Sequence, residues 1–254
     1  MQCKVLKVIK NSRDKLFVDA REKIEKFEFD ENVASVFPDM IGRSVPGYKT
    51  IVEYGGQLAA HFAQSNSNCY DLGCSLGATT KALHHSISER GIRIFAIDNS
   101  SAMIERCKEE LKAYSEDDTI IIKQSDICDI NIENASVVIM NFTLQFVLPE
   151  RRDGLIAKIF NGLNEGGCLI ISEKVLFNSS GLNDLMVKLH HQFKRVQGYS
   201  DLEVSQKREA IENVLIPESL EQHFARLREV GFEPVTTWFQ SFNFYSILAI
   251  KPKK

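Results

Sequence analysis

Residues 69–79 read Cys69-Tyr-Asp-Leu-Gly-Cys-Ser-Leu-Gly-Ala-Thr79, and the rest of the chain is organised around them. A short run ends in Asp71, two glycines (Gly73 and Gly77) follow, and a helix-compatible segment from Ala78 to Glu89 begins at once. That order reads as strand, tight turn and helix start, which aims backbone N–H groups at a nucleotide-like ligand. Gly73 lets the main chain turn and approach a ligand without a side chain in the way. An acid so close repels a phosphate; it suits a cation or a ribose hydroxyl.

The spacing narrows the ligand. In a G-x-G-x-x-G fingerprint the second glycine would fall at Ser75, and no G-x-x-x-x-G-K-[ST] cradle is present. The next strand, Ile92–Ile97, ends at Asp98. An acid roughly 20 or more residues beyond the turn accepts the ribose hydroxyls of an adenosine. Gly73, Asp71 and Asp98 together fit S-adenosyl-L-methionine (SAM) better than NAD or ATP.

Outward from that stretch, strands and helices alternate. Strands are expected at Asn68–Leu72, Ile92–Ile97, Thr119–Lys123, Val137–Asn141 and Gly167–Ser172. Between them lie apolar helical faces such as Ile104, Cys107, Leu111 and Tyr114, and Leu155, Ile156, Ile159, Phe160 and Leu163. Alternation of this kind predicts a parallel sheet with helices on both faces and ligands at the carboxyl ends of the strands. Asp71, Asp98, Asp126 with Ile127, and Asn141 stand at those ends. Before the first strand, a loop over Ile41–Tyr48 and a helix over Thr50–Phe62 are expected, and spacing alone gives Tyr48 a packing role at the helix entrance. Residues 173–231 break the alternation with three helical stripes. They carry Lys188, His190, His191, Lys194, Arg195, Lys207 and Arg208, each of which reads singly as part of a solvated basic face. Phe232–Gln240 and Phe244–Ile250 then read as a terminal hairpin.

Bulk properties set the class. The 254 residues suffice for one α/β domain with an insertion, and a net charge of −3 carries no global footprint for nucleic acid. Six cysteines without a C-x-x-C, and a start lacking a long apolar core, read as reduced thiols in a cytoplasmic protein with no membrane span. The His84-His85 and His190-His191 doublets lack the spacing of metal ligands, so no metal is assigned. Residues 1–26 are expected as a partly disordered N-terminal extension, and residues 27–254 as a single SAM-binding domain with a helical cap over about 176–230.

Several longer stretches resemble the carboxy-S-adenosyl-L-methionine (carboxy-SAM) synthase family: V-F-P-D-M-I-G-R-S-V-P-G-Y (36–48), D-L-G-C-S-L-G-A (71–78), A-I-D-N-S-S-A-M-I-E-R-C (96–107), I-E-N-A-S-V-V-I-M-N-F-T-L-Q-F (132–146), G-Y-S-D-L-E-V-S-Q-K-R (198–208) and W-F-Q-S-F-N-F (238–244). The likeness spans about residues 12–251. It implies a Rossmann-like, seven-stranded methyltransferase fold with a helical insertion between strands five and six. It further implies an enzyme that converts SAM and prephenate into carboxy-SAM and phenylpyruvate. The proton on the SAM methyl carbon is acidified by the sulfonium, and the resulting ylide captures carbon dioxide derived from prephenate. The product serves a tRNA carboxymethyltransferase acting on wobble uridine. A homodimer is implied too, with no direct nucleic-acid binding. By resemblance the ligand positions are Tyr48, Gly73, Cys74, Ser75, Asp98, Asn99, Asp126, Ile127, Asn141 and Arg208. Asp98 would take the ribose hydroxyls and Asp126 the adenine amino group. Tyr48 and Arg208, the pair expected to act in catalysis, would surround the new carboxylate, with Lys207 as an outward-facing neighbour. An ordinary methyltransferase and a non-catalytic SAM-binding accessory protein are the alternatives.

Overall fold

A computed structural model describes residues 12–21, 23–114, 119–212 and 214–253. Five parallel strands form its centre: β1 (Asn68–Leu72), β2 (Arg93–Asp98), β3 (Ile120–Gln124), β4 (Ala135–Asn141) and β5 (Leu163–Leu176). Two-residue β6 (Glu218–Ser219) pairs with the end of β5; β8 (Phe244–Ile250) runs antiparallel to β5, and β7 (Val235–Ser241) closes the sheet antiparallel to β8. The path is β3-β2-β1-β4-β5-β8-β7. This is the seven-stranded arrangement the alternation predicts, with β6 as a short addition.

Every residue of β1 is buried, as expected of a strand covered on both faces. Leu72, Val138, Met140 and Ile171 pack towards one helical layer, and Cys69, Val137, Ile139 and Ile170 towards the other. The chain passes from β1 to β2 on one side and from β3 to β4 on the other. The crevice therefore opens at the carboxyl ends of β1 and β4, where the order reverses.

Helices α1 (Glu31–Ser44), α2 (Tyr48–Ala60), α3 (Ala78–Ser86), α4 (Ser101–Glu110) and α5 (Pro149–Gly162) precede the expected helical insertion. That insertion is α6 (Ser180–Val196), α7 (Asp201–Glu212) and α8 (Leu220–Glu229). Two local expectations change. Ile41–Ser44 is the last turn of α1 rather than a loop, because the Asp30 side chain accepts the Val33 N–H at 2.8 Å and starts a helix that runs through Pro38. Tyr48 is the first residue of α2 rather than a loop residue.

Of the expected N-terminal extension, residues 1–11 lie outside the described residues. Residues 12–21 are anchored: Asp14 and Phe17 are buried, and Gln206 of α7 donates to the carbonyls of Phe17 and Asp19 at 3.0 and 2.9 Å. Phe17 joins Phe27, Val36, Met40 and Ala210 in one apolar cluster, which straps this segment across α1 and α7.

Candidate active site

The turn after β1 is built from backbone. Gly73 has φ +81°, and a Cβ there would stand 2.2 Å from Thr143 Oγ1, so only glycine fits. The N–H groups of Gly73 and Cys74 both donate to the Ile97 carbonyl, at 2.8 and 2.9 Å, which ties the turn to the end of β2. Ser75, at φ +50°, then donates its N–H to Asp98 Oδ2 at 2.9 Å. Ser100 N–H donates to Oδ1 at 2.9 Å. The carboxylate is clamped by two backbone donors, and each oxygen keeps a free acceptor direction for a hydroxyl. Burial raises the Asp98 pKa above the ordinary range, while the N–H groups of Ser100, Ser75 and Asn99 oppose that shift.

A cavity of about 320 Å³ opens beside this turn, a size typical of small-molecule sites. Tyr48, Gly73, Cys74, Ser75, Asp98, Asn99, Asp126, Ile127 and Asn141 all line it. Ser75 and Phe142 carry positive φ without being glycine, and both line the cavity. Strain of this kind is concentrated where a fold holds a ligand. Asn141 is oriented from both sides, donating to Thr79 Oγ1 at 3.0 Å and accepting from Ser172 Oγ at 2.6 Å.

Two acids behave differently from their sequence reading. Asp71 does not line the cavity; it is buried beneath the turn, accepts the Thr80 hydroxyl at 2.6 Å, and burial pushes its pKa up to about 7. Asp126 does line it, but Arg151 holds its Oδ2 at 2.8 Å while Cys128 N–H donates to Oδ1 at 2.8 Å. Arg151 itself lines the cavity, and nothing in the sequence around the start of α5 distinguishes it from a surface arginine. The Cys74 thiol is pushed well up, first by its hydrogen bond with Cys107 and then by burial, which suits a small packed residue rather than a nucleophile.

The far end of the cavity is cationic. His190 and Lys194 on α6, Lys207 on α7 and Lys174 on β5 all line it. His190, Lys194 and Lys207 are buried, which corrects their reading as a solvated basic face. Helix α6 turns this polar side inward and leaves Leu182, Leu185 and Val196 exposed. Lys207, expected to face outward, instead pairs with Asp14 at 3.2 Å and donates to Ser44 Oγ at 3.0 Å. Arg208 is not brought to the cavity of its own chain: it is exposed. Successive helical residues point about 100° apart, so the wall of α7 that admits Lys207 excludes its neighbour. Among the described residues, no group of three or more His, Cys, Asp or Glu side chains is placed to hold a metal ion.

Comparison with known proteins gives this geometry its context. A family model described as a methyltransferase domain matches residues 70–167. A carboxy-S-adenosyl-L-methionine synthase of Aliivibrio fischeri is 51% identical over 238 residues, covering 94% of this chain and 98% of that protein. A protein of the same name from Vibrio campbellii is 52% identical over 242 residues, covering 95% and 99%. Among solved structures, human N-acetylserotonin methyltransferase in complex with SAM superposes with a TM-score of 0.57 at 15% identity, covering 88% of this chain and 56% of that one. An O-methyltransferase family 2 protein from Planctomyces limnophilus gives 0.61 at 18% identity, covering 88% and 62%. At these identities the structural likeness is one of fold.

Proposed function

The chain belongs to the carboxy-S-adenosyl-L-methionine synthase family, and from that membership we propose that it converts SAM and prephenate into carboxy-SAM and phenylpyruvate. The carrying observation is the identity of 51–52% to carboxy-SAM synthases over nearly the whole chain. The site supports it, since a clamped carboxylate for ribose and a cluster of buried cations share one enclosure. The reaction balances without an external oxidant. Prephenate loses its ring carboxylate as carbon dioxide together with its ring hydroxyl, and a new C–C bond joins that carbon to the SAM methyl carbon. The proton lost from the methyl group leaves with the hydroxyl as water. The chain's own part is to orient two ligands and exclude water. Asp98 positions the ribose, the Gly73–Ser75 turn admits the methionine end, and Tyr48 closes the wall beside Phe142, their ring centroids 6.3 Å apart.

The same reading includes a homodimer and a cytoplasmic setting, with the product passing to a tRNA carboxymethyltransferase. Exposed Leu182, Leu185, Val196 and Leu202 on the insertion helices support a second copy as their cover. No helix among the described residues is long and apolar enough to cross a membrane.

The test is product analysis. Purified protein with SAM alone should make neither carboxy-SAM nor a methylated acceptor, and added prephenate should yield carboxy-SAM and phenylpyruvate in equal amounts. Methylation of an acceptor without prephenate would replace this reading with an ordinary methyltransferase.

A further inference from the structure

The cationic end of the cavity is more than a basic patch. Four elements converge there: the end of α1 through Ser44, α6 through His190 and Lys194, α7 through Lys207, and β5 through Lys174. His190 donates its Nε2–H to the Ser44 carbonyl at 2.8 Å, and Lys207 donates to the Ser44 hydroxyl. The His190 ring lies 4.9 Å from Phe244, which stands opposite Lys174 in the β5–β8 register. These contacts place the lysines around a single wall.

The charges do not cancel. Burial, with Lys194 next, drives the His190 pKa down to about 2, so this ring is neutral and cannot add a charge. Lys207 is matched by Asp14. Lys174 and Lys194 have no ion pair or side-chain hydrogen bond among the described residues, although Lys194 is only 9% exposed. Burial, then Lys207 and Lys174, push the Lys194 pKa down to about 7. None of the other acids at the site pairs with these lysines: Asp126 pairs with Arg151, and the carboxyls of Asp98 and Glu173 are held by backbone N–H groups. Lys174 and Lys194 are thus left without a counter-charge in a largely buried wall. Unpaired buried cations are costly, and an anionic ligand removes the cost.

We propose that Lys174 and Lys194, backed by the Asp14-paired Lys207, form the recognition site for a dicarboxylate co-substrate at the capped end of the cavity. The inference rests on the proposed reaction, whose co-substrate prephenate carries two carboxylates. SAM is a poor match for two surplus cations, because its sulfonium is positive and its methionine end is zwitterionic. The lysines act by binding and positioning, and the ammonium group is suited to this as a point charge that a carboxylate approaches from several directions.

The experiment separates this subsite from the reaction itself. Turnover of wild-type protein with prephenate comes first; no carboxy-SAM there would defeat the reaction and leave the subsite to the binding measurements. Lys174→Met and Lys194→Met are then compared with wild type. The expected result is a prephenate KM raised at least about tenfold in each, with the SAM Kd within about twofold, as losing one charged contact in a desolvated site predicts. A parallel loss of SAM affinity would assign the lysines to the methionine carboxylate and overturn the proposal. An unchanged prephenate KM would overturn it as well. Should the variants fail to fold, wild-type protein loaded with SAM is acylated with acetic anhydride, and modification of Lys194 is followed by mass spectrometry. Prephenate should slow that modification more than the monocarboxylate phenylpyruvate does, and equal modification with and without prephenate would sink the proposal.

Discussion

Asp14 and Lys207, 193 positions apart in the chain, meet in a buried ion pair of 3.2 Å. Tyr199 donates its hydroxyl to the same carboxylate at 2.5 Å, and the Arg43 guanidinium lies 3.8 Å above the Tyr199 ring. The first described turn of the chain is thus joined to the insertion helix that walls the cavity.

Removing one partner of a buried pair strands the other, which costs about 3–5 kcal/mol. Asp14→Ala should therefore lower unfolding stability by about that amount, measured by urea denaturation. Arg208→Ala, one residue from Lys207 but exposed, should stay within about 0.5 kcal/mol. Burial raises the Asp14 pKa, but Lys207, Tyr199 and the Leu16 N–H outweigh it and hold the group below the usual carboxylate range. Its stabilisation is accordingly present above the unfolded carboxylate pKa and lost as the pH falls through the lower, folded value. Equal stability of Asp14→Ala and wild type at neutral pH would count against the pair.

Asp98 should decide SAM affinity. Asp98→Ala removes charge-assisted hydrogen bonds of roughly 1.5–3 kcal/mol each. Calorimetry should show SAM binding weakened at least about tenfold, with a native far-UV circular dichroism spectrum. Unaltered affinity would take Asp98 out of the ribose site.

Binding of a dianion should load a proton onto the protein. With its pKa pushed down to about 7, Lys194 is largely neutral at pH 8, and a neighbouring carboxylate favours the charged form. Titrating SAM-loaded protein with prephenate at pH 8, in buffers of different ionisation enthalpy, should reveal proton uptake that fades by pH 6. Lys207 and Lys174 act on Lys194 directly and His190 and His191 feel its charge, while Asp14 acts on Lys207 and Arg208 on Lys174 and His191. His191→Asn should leave the uptake in place, and Lys194→Met should abolish it. Uptake that survives in Lys194→Met would assign the proton to another group.

The outward apolar side of the insertion should govern assembly. Val196 is 76% exposed and Leu185 49%, on the side of α6 opposite its buried lysine. Charging that surface with Leu185→Glu and Val196→Glu should shift sedimentation from dimer to monomer while SAM affinity holds. A monomeric wild type would remove the dimer from the reading.

Much of the fold was legible because its signals are local. An apolar strand, a glycine turn and a helix start announce β1 and α3, and an acid at the next strand end is a property of a few adjacent residues. The start of α1 is equally local, in Asp30 three residues before Val33, but the Pro46-Gly47 turn signal draws Ile41–Ser44 into a loop that the structure keeps helical. Tyr48 packs as its spacing predicts, but its partner Phe142 lies far away in the chain, so only the fold places it on the cavity wall as well. Asp71 looked like a ligand-facing acid, yet Thr80 binds it beneath the turn.

What the sequence determined by itself is therefore the alternating sheet, the end of that sheet at which the cavity opens and the acid Asp98 that lines it, since the period and spacing of neighbouring residues suffice for each. The tertiary structure alone decided which basic residues of α6 and α7 face inward. An amphipathic helix normally buries its apolar stripe; α6 instead buries His190 and Lys194, because the wall it covers is a cavity. A single step along α7 separates buried Lys207 from exposed Arg208, and the choice between them depends on Asp14, at the other end of the chain. No local pattern carries that information, because the counter-charge arrives only when the N-terminal segment packs across the helix.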